Sequence, residues 1–139
     1  MRLFRRIMTV LSAVALMLTL GVAVAEAAPP AGSVCSGDDN RVNSCFTPDG
    51  DVFWVKDTEK DGRSSVAVWQ TRDGRSGQCR NAQGYNTWQS CNYDFKEMYN
   101  GRSNVVSWSN YTYDAETNDY NYISGGYSAY VNGRLVIEV

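Results

Sequence analysis

Along most of this chain, apolar residues recur in short runs separated by turn-forming residues every eight to twelve positions, and no long 3.6-residue period is sustained. The runs are Val52–Lys56, Ser65–Thr71, Thr87–Tyr93, Val105–Tyr113, Tyr120–Ser124, Tyr127–Val131 and Arg134–Val139. They are rich in Val, Trp, Tyr and Thr, which suit a pleated, half-buried surface. This spacing predicts an all-β domain, an antiparallel sandwich or an open barrel. Asn132-Gly133 reads as a two-residue hairpin turn of the primed type, which requires positive φ at both positions. In that register Tyr130 faces Leu135 and Ser128 faces Ile137. Asp114 to Asn118 should turn the chain between two strands, and Tyr93 to Tyr99 could hold a short helical turn. Asp61-Gly62-Arg63, Asp73-Gly74-Arg75, Asn100-Gly101-Arg102 and Asn132-Gly133-Arg134 read as four corners of the fold, because Asp or Asn followed by Gly is ordinary turn chemistry.

The N-terminal segment differs in kind. Arg2, Arg5 and Arg6 precede a nearly uncharged apolar stretch from Ile7 to Ala25, followed by small-residue sites at Ala23-Val24-Ala25 and Ala25-Glu26-Ala27 and by Pro29-Pro30. This pattern predicts a signal peptide over 1–27, cleaved between Ala25 and Ala28, rather than a retained membrane anchor. Residues 28–34 form a flexible Pro/Gly/Ala leader, and 35–139 form a single exported β domain.

Cleavage after Ala27 leaves 112 of the 139 residues, a size at which a modest core gains from covalent staples. The four cysteines, Cys35, Cys45, Cys79 and Cys91, all lie in that part, and an even count in a small exported protein predicts two disulfides. Three connectivities are open; the spacing favours Cys35–Cys45 and Cys79–Cys91. Loss of Arg2, Arg5, Arg6 and Glu26 leaves ten basic and fourteen acidic residues, a net charge near −4. That balance speaks against a nucleic-acid partner. No later segment is apolar enough to span a membrane, so the expected location is extracellular.

Histidine is absent, and paired cysteines leave no thiol, which removes the commonest general base, the usual zinc ligands and the Cys-His nucleophile. A hydrolase would have to run on carboxylates such as Asp57 with Glu59 or Asp94 with Glu97. No spacing places either pair in one cleft, so the reading is of a non-enzyme with no cofactor. The segment Asp57 to Gly62 begins like an EF-hand loop, but Val68 stands where the bidentate Glu should be. A structural calcium site built from Asp38, Asp39, Asp49, Asp51 or this loop is not expected. Asn110-Tyr111-Thr112 matches an N-glycosylation acceptor, which would require Asn110 at the surface.

Aromatic residues are the compositional oddity: four Trp and nine Tyr, six of the latter between Tyr111 and Tyr130. Because strand side chains alternate, Tyr111 shares a face with Tyr113, and Tyr120 with Tyr122. Together with Tyr127 and Tyr130 these are the candidate binding residues, a platform for a cell-envelope polysaccharide or a secreted protein. The plainer reading makes them cross-strand pairs with wet hydroxyls. Trp54, Trp69, Trp88 and Trp108 are expected in the core.

Phe53-Trp54-Val55-Lys56-Asp57-Thr58, Asp61-Gly62, Cys79-Arg80-Asn81, Gly84, Trp88, Cys91-Asn92-Tyr93-Asp94 and Tyr111-Thr112-Tyr113-Asp114-Ala115 resemble a set of small secreted proteins of filamentous actinobacteria. The likeness runs from about Cys35 to Tyr120 and implies a signal peptide, two disulfides and a β-rich domain, with no activity to carry over. Phe95-x-x-x-Tyr99-x-Gly101 followed by Arg102-Ser103 is also similar to the hairpin signature of βγ-crystallin-like domains, some of which are secreted protease inhibitors. That family's calcium motif does not match Asn118-Asp119 and the residues after it, and the first half carries no second hairpin signature. The leading expectation is a binding module. An inhibitor of an extracellular hydrolase, acting through the loop from Arg80 to Ser90, comes second and a small carboxylate hydrolase third.

Overall fold

The computed structural model describes residues 27–37, 41–134 and 137. Nearly all of the expected signal peptide, Asp38, Asp39, Leu135 and most of the expected last strand lie outside them. Ten strands occur among the described residues: β1 (Val34–Cys35), β2 (Val42–Thr47), β3 (Val52–Asp57), β4 (Ser64–Thr71), β5 (Ser76–Asn81), β6 (Trp88–Asn92), β7 (Met98–Tyr99), β8 (Arg102–Ser103), β9 (Val105–Asp114) and β10 (Asp119–Tyr130). They build two four-stranded sheets, ordered β1-β2-β3-β6 and β10-β9-β4-β5, plus the small β7-β8 ribbon. All pairings are antiparallel, and the two large sheets lie face to face as a β-sandwich, with β2 over β9 and β3 over β4 and β5.

Alternation explains the layers. In β3, Phe53, Val55 and Asp57 are buried while Val52, Trp54 and Lys56 are half-buried on the outside; in β9, Val106, Trp108, Asn110 and Thr112 point in. Phe53 is the hub of the interior. Its ring centre lies 5.0 Å from that of Phe46, 5.5 Å from Trp108 and 6.3 Å from Trp69. Each such buried side chain contributes roughly 1.5–3 kcal/mol by leaving water.

The inward polar groups are paired across the sandwich. Ser44 on β2 donates to Asn110 Oδ1 on β9 (2.6 Å) and accepts the indole N–H of Trp108 (2.9 Å). Asn81 on β5 donates to the carbonyl of Val55 on β3 (3.0 Å). Asn110 is therefore a buried structural residue rather than a surface glycosylation acceptor.

Both disulfides join the expected partners, Cys35 to Cys45 and Cys79 to Cys91. They do different work. Cys35 and Cys45 are directly opposed on β1 and β2 within one sheet, whereas Cys79 on β5 and Cys91 on β6 join the two sheets at one edge.

Several elements depart from the sequence expectation. The runs 120–124 and 127–131 form one strand, β10, interrupted by two bulges. The primed turn is Asn100-Gly101, with φ of 50° and 70°, which closes β7-β8. At Asn132-Gly133 only Gly133 has positive φ. There the chain ends β10 in order to bury Val131, whose N–H bonds to Asn104 (3.0 Å), so Tyr130 lies opposite Val105, Ser128 opposite Ser107, and Ile137 bridges Arg102. Residues 93–97 form no helical turn, because Asp51 captures them: its carbonyl accepts the N–H of Tyr93 (3.0 Å) and its carboxylate that of Phe95 (2.7 Å). Trp69 and Trp108 are core residues, but Trp54 and Trp88 are half-buried on the outer face of β3 and β6, with the Lys56 ammonium 5.8 Å from the Trp88 ring centre. No helix of the described residues is long and apolar enough to cross a membrane.

Candidate functional site

On the outer face of the β10-β9-β4-β5 sheet four of the six candidate tyrosines come together in one cluster. Register places Tyr113 opposite Tyr120 and Tyr111 opposite Tyr122, all pointing away from the core. Their rings touch in series: the centroid of Tyr120 lies 4.6 Å from Tyr113 and 6.4 Å from Tyr111, and that of Tyr111 lies 5.6 Å from Tyr122. The cluster is both paired and accessible, with Tyr122 62% and Tyr120 42% exposed. Tyr127 points inward and packs on Trp108 (5.7 Å), whereas Tyr130 shares the outer face with Ser128 but lies further along β10, opposite Val105. Positions 127 and 130 are an odd number apart, so no regular strand could place both on one face.

The hydroxyls at the Tyr end are anchored. Tyr113 donates to Asn118 Oδ1 (3.0 Å), and Tyr120 donates to Gln78 Oε1 (3.1 Å). The Arg80 guanidinium sits 4.3 Å above the Tyr113 ring, a geometry in which the cation is attracted by the π face. Beyond Tyr113, Asp114 closes the β9–β10 turn. Its carboxyl is held below the usual range chiefly by the N–H of Glu116, with smaller contributions from Thr117 and Arg63.

Next to this cluster the sheet is hollow. A cavity of about 500 Å³ opens between β10, β9, β4 and β5, lined by Val68, Gln70, Ser76, Ser107, Ser109, Tyr111, Gly126 and Ser128 together with parts of Trp69, Trp108 and Tyr127. Among the described residues that line it, none is charged. The hollow exists because β9 presents Ser107 and Ser109, and β10 presents Gly125 and Ser128, where bulky side chains would fill the face. Sequence reasoning found the tyrosines but missed this small polar floor. Its signal was the alternation Ser107-Trp108-Ser109-Asn110-Tyr111, in which every second residue points to the same side as Tyr111.

The carboxylate pairs are arranged otherwise. Asp57 lies in a cleft of about 290 Å³ with Glu59, Lys60, Arg63, Asn81 and Tyr85. Burial raises its pKa, opposed by the Glu59 N–H that its Oδ1 accepts (3.1 Å) and reinforced by the nearby charges of Asp61 and Glu59. Glu59 in turn pairs with Arg41 (3.0 Å). Asp94 and Glu97 lie near Asp51, whose pKa is raised by burial against the Phe95 hydrogen bond. Among the described residues no group of three Cys, Asp or Glu side chains is placed to hold a metal ion.

The loop between β5 and β6 is the other exposed feature. Its ends are held near Cys79 and Cys91, Thr87 Oγ1 donates to Gly84 O (2.7 Å), and the Asn86 N–H reaches Asp57 O (2.8 Å). Tyr85 stands at its tip, 53% exposed. No protein-family model matches the chain, and no curated protein or solved structure matches it either.

Proposed function

We propose that this chain is an extracellular binding module that takes its ligand on the outer face of the β10-β9-β4-β5 sheet. The observation that carries the reading is the adjacency of an accessible tyrosine cluster, Tyr111, Tyr113, Tyr120 and Tyr122, to a cavity in the same face. Cavities of a few hundred Å³ bordered by aromatics and a few polar groups are the usual form of binding sites. Two disulfides fit an oxidising compartment, and the basic, apolar, small-residue N-terminal sequence fits export. The test is retention of the oxidised protein on isolated bacterial cell walls and immobilised secreted proteases, compared with Tyr120→Ala/Tyr122→Ala. Retention that the double variant loses supports the reading, and retention that survives it rejects this face.

A second reading is favoured by the β5–β6 loop: a disulfide-pinned, internally hydrogen-bonded loop with an exposed Tyr85 has the form of a protease-inhibitor loop. Inhibition of a secreted protease that Tyr85→Ala abolishes and Tyr120→Ala/Tyr122→Ala does not would establish it in place of the first.

A further inference from the structure

We infer that the ligand of the outer face is an uncharged polysaccharide, a sugar ring stacking on Tyr122 and Tyr111 while the chain's hydroxyls are met in the adjoining cavity. The inference rests on the binding-module reading and adds the chemical class to it.

The orientation of Tyr122 is the first argument. A Cβ on Gly125 would overlap Ser109 Oγ and come within 3.0 Å of the Tyr122 hydroxyl. The Tyr122 side chain therefore lies along the sheet, with its hydroxyl over the bare backbone of Gly125, instead of standing on end. Laid down in this way and 62% exposed, it offers a ring face to solvent. The Tyr111 ring, inclined at 78° to it and 5.6 Å away, forms a wall beside that face. A flat apolar floor with an aromatic wall suits the C–H face of a pyranose.

The cavity lining is the second. Gln70, Ser107 and Ser128 supply hydroxyl and amide groups that can each donate and accept, the same duality that sugar hydroxyls have. Two cations border the face outside the cavity: Arg80 lies on the Tyr113 ring, and Arg72, which donates to Ser103 O (2.8 Å), flanks Gln70, Ser107 and Ser128. An anionic polymer would find no charged partner among the described residues of the cavity, and a carboxylate brought there would lose hydration without recompense. A protein partner would instead call for a closely packed apolar centre, which serines do not provide.

Titration calorimetry of the oxidised full chain against cello-, xylo-, malto- and chito-oligosaccharides, with carboxymethyl cellulose and dextran sulfate alongside, tests the inference. At least one neutral series should bind, more tightly as it lengthens, with an affinity unchanged between about 0.05 and 0.5 M salt because no ion pair is involved. Tyr122→Ala should weaken it about tenfold or more through loss of the stacking surface. Ser107→Ala/Ser128→Ala should weaken it several-fold and leave the melting temperature unchanged. Binding confined to the charged polymers and lost at high salt overturns the inference, as does failure of every neutral series. In either case the Tyr120→Ala/Tyr122→Ala comparison on cell walls and proteases separates the two claims. If that variant loses retention, the face remains the site and only the ligand class falls; if it does not, both fall.

Discussion

Gly77 on β5 lies directly beneath the indole of Trp69 on β4, so closely that a Cβ at residue 77 would sit 2.5 Å from Cζ2 of that ring. Trp69 in turn carries Tyr93 and Phe95, each with its ring centre 4.8 Å away. Any side chain at 77 must push this stack outward. Gly77→Ala should therefore cost about 1–3 kcal/mol, the usual penalty of overpacking. A thermal melt of that variant indistinguishable from the parent would show that the stack gives way freely.

The two disulfides should differ in worth. Cys79 is fully buried and its bond joins opposite sheets, whereas Cys35–Cys45 reinforces two strands that are already paired. Replacing Cys79 and Cys91 together with Ala should lower stability by about 2–5 kcal/mol. The corresponding change at Cys35 and Cys45 should lower it by less. Denaturant titration of both variants decides the order, and equal losses would contradict it.

Ser44 should be intolerant of truncation. Its hydroxyl is at once donor to Asn110 and acceptor from Trp108, so Ser44→Ala removes the acceptor of the buried Trp108 N–H and one donor to Asn110 Oδ1. The expected loss is about 1–3 kcal/mol. Near-ultraviolet circular dichroism, which reports the setting of Trp108, should change in parallel with the denaturation midpoint.

Asp51 gives the stability curve a defined slope. Burial raises its pKa, so the folded state binds that proton more tightly than the unfolded chain does. Its effect on stability is thus most favourable at acid pH and declines as pH climbs from the ordinary carboxyl range through the raised value. Asparagine can keep the hydrogen bond to Phe95 and the left-handed backbone of residue 51, φ 54°, without ever charging. Asp51→Asn should be at least as stable as the parent at pH 7, with its relative advantage shrinking toward pH 4. A variant weaker at pH 7 than at pH 4, relative to the parent, would reverse this sign.

The outer tyrosines and the core strands were legible because aromatic and β-branched residues dominate β3, β4, β9 and β10, and period-two alternation sorts them by face. β5 was not, since Ser76-Gly77-Gln78-Cys79-Arg80-Asn81 contains no aliphatic or aromatic side chain. It is held by the disulfide at Cys79, by the Asn81 amide and by the indole over Gly77, none of which leaves a hydropathy signal. β2 was hidden for a related reason: its inward Ser44 and outward Cys45 invert the expected alternation. At Asn132-Gly133 the chain does turn, but the Gly133 N–H closes the turn on Tyr130 O (2.9 Å), one residue earlier than a primed Asn-Gly hairpin would, with Val131 buried at its corner.

β10 is also the border of its sheet among the described strands, and it is long and rich in tyrosine. A flat strand of that kind is a template on which further copies could add and start a fibre. The bulges between Tyr122 and Ser124 and between Gly125 and Tyr127 break the even spacing of its outer N–H and C=O groups. Another strand could therefore keep register with it for only a few residues. Irregularity at this border works against templated aggregation of the chain.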